Sequence, residues 1–526
     1  MKNIIQEINK INKRACIFVK KHWDKILLFL FILVYIIYFS CFTILRFKTL
    51  HAHYYDLGIM HQTVFNTYKG IATLDFSRIL ELTDPSKLGS GPIKRMAIHN
   101  DILLFPLALF YFIHSGPETL LILQTVIIAL RAIGIYLISK RILSSKILSI
   151  TLAFSYLMYF PLQRANIFEF HAVSLATSFL IIMFYFFLVK KYKLSFIFFL
   201  LSLFSKENVA LVTLLFGTFI LLKNKSKLNI FWGFINKILH RGQEKKDNFL
   251  FGLIIFTISI IWFVLSILVI IPYFKGSSHF ALARYSQFGD SFFGVFMGLI
   301  KNPVLLFSYI FCESTIRYLF YLLAPLGFLS LFSPIYLLIA LPQLAINLLS
   351  SFFNTRSFYY HYTSLITPFV FISAIYGCRN IVKYIERKYN LKREQVEKII
   401  AVFLLFSTLF FSYLKSPLPY SKEKDGYYFA EFQRERKDVE FWAKTLKSES
   451  YIVSSTQKLA PLLASRRYYY DFGADYVLAD FVLILIPEIS VDWESKGLID
   501  VYNNLKNNKN FVKIHENGHL EVYKRK

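Results

Sequence analysis

The stretch Leu194–Leu222 reads LSFIFFLLSLFSKENVALVTLLFGTFILL and is apolar throughout except at Ser205-Lys206-Glu207-Asn208. A helix that crosses a bilayer takes about 20 apolar residues, whereas the two halves of this stretch hold only about 13 and 16. A turn joining two full-length helices would lie at the surface and carry little meaning. Between two short ones it is expected below the outer surface, in a water-filled recess. A charge at bilayer depth costs about 2.5–3.5 kcal/mol on insertion scales, so Lys206 and Glu207 are expected to face a cavity or a compensating partner.

Apolar runs recur on both sides of this hairpin. They predict spans at 26–45, 118–139, 144–162, 172–190, 193–205, 208–223, 249–273, 315–332, 334–351, 362–381 and 398–415, about eleven in all. The segment Ile102–Ile113 is too short to cross and reads as an interfacial or re-entrant helix. The run Ile26–Leu45 is too long for a signal-peptide core and lacks a small-residue cleavage site, so it is expected to remain as the first helix.

The 526 residues include 60 Lys and Arg against 33 Asp and Glu, a formal charge of +27. In a soluble protein that excess would suggest nucleic acid, but 56% apolar and 18% charged residues exclude a soluble globule of this size. The basic residues sit instead in alternate gaps between spans: Lys140, Arg141 and Lys146, then Lys190, Lys191 and Lys193, then Lys223 to Lys246, then Arg379 to Lys398. The positive-inside rule puts these gaps with the Lys-rich arm 1–25 in the cytoplasm. No nucleic-acid partner is expected, and membrane lipids are. Cys16, Cys41, Cys312 and Cys378 are scattered without CxxC spacing, so neither a disulfide framework nor a zinc cluster is expected.

The expected fold class is therefore an all-α polytopic membrane bundle over 26–415, with a first outer loop at 47–117. Beyond it, 416–526 is polar, and an odd number of spans places it outside as a small extracytoplasmic α/β domain. Its strands are expected at Tyr451–Ser454, Tyr468–Phe472 and Tyr476–Ile486, around a helix near Gln457–Ser465. His515-Glu516-Asn517-Gly518-His519 matches the H-E-x-x-H pattern, but that chemistry needs a helix, and Asn-Gly between two alternating runs signals a hairpin turn.

Three further polar groups are expected on the outer side near Lys206. One is Gln163-Arg164-Ala165-Asn166-Ile167-Phe168-Glu169-Phe170-His171. The others are His51-Ala52-His53-Tyr54-Tyr55-Asp56-Leu57-Gly58-Ile59-Met60-His61-Gln62 and Ile98-His99-Asn100-Asp101. Asp56 follows the first helix directly, which places a carboxylate at the interface. His99, Glu169 and His171 are the candidate ligands for a divalent metal ion, since imidazole and carboxylate suit zinc or manganese. Their spacing is not diagnostic of metal, and loop histidines are more often solvated.

The ordered set Asp56-Leu57-Gly58-Ile59 with Gln62, His99, Phe168-Glu169-Phe170-His171 and Lys206-Glu207 resembles the membrane proteins grouped as domain of unknown function 2079. So do Pro325-Leu326-Gly327-Phe328-Leu329-Ser330-Leu331, Asn347-Leu348-Leu349-Ser350 and His361-Tyr362. That family is placed in the GT-C superfamily of lipid-linked-sugar glycosyltransferases. The likeness runs from about Asp56 to Gly377 and departs at Asn208, where the family pattern usually has Asp.

The resemblance implies a GT-C-like bundle with its active site at the outer membrane face of a cell envelope. It also implies a polyprenyl-phosphate-linked sugar as donor and an acid in the first outer loop, the place Asp56 holds. On that footing Asp56 is expected to act as base and Lys206 to meet the departing phosphate, with Arg164 and Arg356 as further cations. Glu169 and His171 are expected at the reaction centre, and Gln62, His99, Glu207 and His361 as substrate-binding groups. A transporter or flippase, or a non-catalytic scaffold, would also be polytopic. The scaffold reading predicts that residues 56, 169, 171 and 206 can be changed without cost.

Overall fold

Apolar runs in a membrane become helices because no water is present to satisfy an open backbone. The chain, seen in a computed structural model, follows that rule over most of its length. The structure describes residues 2–83, 91–223, 243–425, 432–489 and 497–526, so most of the basic gap expected at Lys223 to Lys246 lies outside the described residues. Among the described residues, four helices are long and apolar enough to cross a membrane unaided: Ile17–Lys48, Glu118–Leu143, Asn248–Lys275 and Arg393–Lys415. Five shorter apolar helices accompany them, including Tyr192–Leu203 and Val209–Lys223, the two halves of the Lys206 hairpin.

The helix Thr367–Tyr389 runs through the middle of the bundle, with every residue from Thr367 to Cys378 buried. Against it lies the segment expected to form a span at 315–332, and here the reading needs correction. Helix Glu313–Leu323 stops, two 3-10 turns follow at Ala324–Leu326 and Leu329–Phe332, and Gly327 takes φ +57. Pro325 and Pro334 remove backbone donors, so a regular helix cannot continue through them. The carbonyls thus freed are taken by hydroxyls from neighbouring helices. Ser373 donates to Ser330 and Ser333 at 2.7 and 2.8 Å, Ser407 to Ala324 at 2.6 Å, and Thr408 to Pro325 at 3.0 Å. Close approach is possible because Gly377 has no side chain, since a Cβ there would stand 1.9 Å from the Leu329 carbonyl oxygen. The span expected at 334–351 is likewise broken, by a 3-10 turn at Leu338–Ala340.

Sequence reading also passed over an apolar pair in the gap after the 249–273 span, Phe292–Lys301 and Pro303–Ile310, bent by 92° at Asn302-Pro303. Phe293, Phe296, Val304 and Phe307 on this pair are exposed. By contrast, Ile102–Ile113 forms only a short helix and a 3-10 turn, as its length implied.

At one end of the bundle the basic gaps meet the first helix. Lys146 donates to the Lys21 carbonyl at 2.7 Å, and Lys140 contacts the buried Asp24 at 3.2 Å. At the other end, the first outer loop meets a five-stranded sheet whose strands lie in the order Tyr469–Asp471, Val453–Ser455, Phe481–Leu485, Leu520–Arg525, Phe511–Asn517. The first three run parallel, and the last two form the hairpin expected around Gly518. His515 lies on a strand, so the H-E-x-x-H match has no helix to stand on.

Helix Val209–Lys223 is held by its approach to helix Gln243–Leu265, and Gly217 makes this possible: a Cβ there would stand 2.7 Å from the Phe256 backbone nitrogen. Close helix contacts of this kind are typical in membranes, where small residues let backbones meet. Gly217→Leu is expected to destabilise the bundle by about 1–3 kcal/mol, the usual cost of overpacking. Thermal unfolding of the detergent-purified protein would register this as a lowered Tm.

Candidate functional site

The chain leaves the first helix at Lys48 and winds a short π-helical turn, Tyr54–Gly58. Gly58 closes it, since a Cβ there would stand 2.8 Å from the Tyr54 ring. The free amides at the start of this turn need an acceptor, and Glu169 provides it. Its carboxylate accepts from the His53 amide at 3.0 Å, the Leu57 amide at 2.9 Å and the His53 ring at 3.2 Å. Glu169 itself is 2% exposed and sits at φ +119, a conformation a non-glycine residue holds only when its surroundings enforce it.

Held in this way, the turn presents Asp56 to a cavity of about 850 Å³. Asp56 Oδ1 lies 2.9 Å from His171 Nε2. The His171 ring stacks on His361 at 3.9 Å, and its backbone amide donates to Gln124. Gln124 also ties down the Asn166 and Glu169 carbonyls at 3.1 and 2.8 Å, fixing the corner that carries both acids' partners. Burial, with help from the neighbouring His171, holds His361 well below the ordinary histidine range, so this ring is neutral.

The Lys206 turn lines the same cavity. A buried, bidentate ion pair between Arg95 and Asp101, with contacts of 2.8–3.0 Å, braces the loop that brings His99 and Asn100 to it. The Asn100 amide donates to Glu207 Oε2 at 3.1 Å, and His99 Nδ1 meets Glu207 Oε1 at 2.8 Å. His279 Nε2 approaches the same oxygen at 3.3 Å. Burial holds His99 down to about 3, so its contact to Glu207 is that of a neutral imidazole. Burial alone would push Glu207 up, but the two imidazoles and Lys206 outweigh it and hold the carboxyl well below its usual range. Burial also pulls the Lys206 ammonium below the ordinary lysine range, against the opposing charge of Glu207.

Asp56, His99, His171, Lys206, Glu207 and His361 thus line one cavity, together with Arg284 and His279, which sequence reading missed. Those two lie in the gap after the 249–273 span, where no spacing or charge run set them apart from an ordinary polar loop.

The remaining expected site residues lie elsewhere. Glu169 is behind the cavity wall. Gln62 is buried and reaches Thr83 at 2.8 Å and the Arg467 carbonyl at 3.1 Å, joining the first outer loop to the C-terminal sheet. Arg164 binds Asp425 and the carbonyls of Lys415 and Ser416, where the last helix ends. Arg356 contacts the Cys312 sulfur at 3.4 Å. Asn208, at the family's usual Asp, opens a chain of amides through Gln343 to Asn347 with steps of 2.7 Å. Among the described residues, the candidate metal set His99, Glu169 and His171 does not come together. The group of possible ligands that does is His99, Glu207 and His279.

No curated protein matches the chain. Among solved structures, it is similar to an oligosaccharyltransferase of Archaeoglobus fulgidus tethered with an acceptor peptide containing the NVT sequon, at 11% identity and a TM-score of 0.45, over 97% of this chain and 74% of that one. Residues 46–503 match the family described as "predicted membrane protein (DUF2079)", and the chain belongs to that family.

Proposed function

We propose that this membrane protein is a GT-C-type glycosyltransferase that passes a sugar from a polyprenyl-phosphate-linked donor to an acceptor at the outer face of the cytoplasmic membrane. One observation carries the reading: a carboxylate, Asp56, and two cations, Lys206 and Arg284, line one cavity together with the apolar residues Phe263, Ile267, Phe274 and Phe292. The acid suits an acceptor hydroxyl, the cations suit a phosphate, and the wall suits a prenyl chain. The GT-C character itself rests on the family resemblance.

In the reaction, the acceptor oxygen bonds to the anomeric carbon while the bond from that carbon to the phosphate oxygen breaks. The acceptor proton passes to Asp56, which His171 orients, and the electron pair of the broken bond leaves on the lipid phosphate. General-base help of this kind contributes roughly 100- to 10,000-fold. Lys206 and Arg284 stabilise the negative charge that builds on the phosphate, most effectively in a site from which water is largely excluded.

The proposed topology has about eleven crossings, with the amino terminus in the cytoplasm and the C-terminal domain outside. Two contacts support it. The first outer loop and the C-terminal domain share an end, where His61 meets Ser465 at 2.8 Å and Arg467 meets Glu81 at 2.7 Å. An even number of crossings must therefore separate them, giving an odd total with the first helix. One basic gap, that of Lys140 and Lys146, meets the first helix at Lys21 and Asp24.

Asp56→Asn in nanodiscs is expected to bind the lipid-linked donor as the parent does and to slow transfer by roughly 100- to 10,000-fold, followed by mass spectrometry of the product. Transfer at the parent rate would remove Asp56 as the base. Glu169→Gln exchanges an anionic acceptor for a neutral one and is expected to cost about 2 kcal/mol of stability. Because Glu169 positions Asp56 without touching substrate, this change should lower kcat more than it alters KM. Of two exposed positions changed to cysteine, Asn504→Cys is expected to react with an impermeant maleimide in intact cells, and Lys191→Cys only after lysis. The reverse pattern would invert the topology and remove the outer-face site.

A further inference from the structure

We infer that the cavity grips a phosphate group without a resident divalent ion, Lys206 and Arg284 supplying the positive charge that a metal would otherwise bring. The inference deepens the transferase reading and rests on it for the lipid, but not for the phosphate.

A metal needs carboxylate and imidazole lone pairs that are not already engaged. Glu169 spends its oxygens on two backbone amides and the His53 ring. Asp56 is engaged with His171, and no third ligand joins them among the described residues. His99, Glu207 and His279 do place their ligand atoms within 4.8 Å of one another. However, the Ala281 amide donates to His279 Nδ1 at 3.0 Å, which leaves the ring proton on Nε2, the atom facing Glu207. His99 turns Nδ1 to the same oxygen, and the Asn100 amide takes the other one. Glu207 thus accepts from the His99 ring and the Asn100 amide, and His279 turns Nε2 toward it at 3.3 Å. A cation placed there would have to displace two ring protons and a backbone hydrogen bond beside an ammonium of its own sign.

The cations tell the complementary story. Arg95, Arg78 and Arg467 all form close ion pairs with carboxylates. Lys206 lines the cavity with no hydrogen bond or ion pair to its ammonium among the described residues, and Arg284 pairs with no carboxylate among them. The Arg284 guanidinium lies over the Phe352 ring at 4.6 Å and near Phe280 at 5.7 Å. Stacking uses the flat face of a guanidinium, and part of its N–H edge meets the Tyr362 hydroxyl, which leaves the remaining hydrogens to suit phosphate oxygens. A desolvated ammonium without a partner is costly, and an incoming anion removes that cost. The apolar wall beside these cations favours a phosphate attached to a prenyl chain over a free one.

The test uses the full chain in nanodiscs, treated with EDTA and dialysed, with farnesyl phosphate and inorganic phosphate as probes in separate calorimetric titrations. Farnesyl phosphate is expected to bind equally well with EDTA or with added Mn²⁺, and inorganic phosphate more weakly. Lys206→Met and Arg284→Gln should each weaken farnesyl phosphate roughly 10- to 100-fold, the loss of a hydrogen bond to a charged group. Lys206→Arg should restore most of the loss, which separates charge from misfolding. Cobalt added to the EDTA-treated protein should give no tetrahedral absorption band.

Binding that requires Mn²⁺, or a cobalt band abolished by His279→Gln, would overturn the inference. So would parent-like affinity in both cation variants. Equal affinity for the two probes would leave the phosphate grip standing and remove the lipid preference. Metal-free binding without any sugar transfer would keep this inference while sinking the transferase reading. Transfer that depends on Mn²⁺ would do the opposite.

Discussion

A carboxylate taken out of water must be met by donors, because an unpaired buried charge costs several kcal/mol. Three acids at the end of this bundle that meets the C-terminal sheet are placed under that constraint, and their donors come from distant parts of the chain. Glu169 draws in the amides at 53 and 57, Glu207 draws in residues 99, 100 and 279, and Asp101 is clamped by Arg95. The cavity lies among these ties. Its shape follows from which segments the acids hold together, more than from the packing of the apolar helices beneath.

That distinction explains what could be read in advance. Apolar length is a local property, so the Lys206 hairpin, the first helix and the two short halves were visible in the sequence. So was the gathering of 56, 99, 171, 206, 207 and 361, since each is a polar group in a place where a polar group needs a reason. The use made of each group was not visible. Glu169 and His171 stand two residues apart, yet one faces the Tyr54–Gly58 turn and the other the cavity, because Glu169 takes a backbone conformation that no residue pattern announces. Gln62 looked like a substrate contact and instead joins the loop to the sheet, a partner more than 400 residues away in sequence. His279 and Arg284 carried no signal at all, because their meaning arises only where a loop folds over the hairpin.

The broken helices belong to the same account. A proline and glycine pattern at 325–334 reads as a span by composition, but it is tolerated at depth only because Ser373, Ser407 and Thr408 offer hydroxyls to the released carbonyls. Those hydroxyls lie on the helices predicted at 362–381 and 398–415, where they looked like neutral spacers. Three helices thus lock into one rigid wall, and the adjoining residues Gln343 and Asn347 extend it toward Asn208.

The site also has to keep opposite charges in adjacent residues from cancelling. Were Lys206 to fold onto Glu207, the pair would satisfy itself and the cavity would lose its grip on an anion. Glu207 is instead engaged by the His99 imidazole and the Asn100 amide, with His279 Nε2 a further 3.3 Å contact. Its negative charge then tempers the field around Lys206 without capturing the ammonium in a contact. Arg284 is kept from any carboxylate among the described residues by a different device, the Phe352 face and the Tyr362 hydroxyl that hold the guanidinium. Asp56 leans on His171, which stacks on His361, in place of a lysine or arginine. The cavity thus keeps Lys206 and Arg284 out of contact with carboxylates among the described residues, while the fully paired charges such as Arg95 and Asp101 hold the frame.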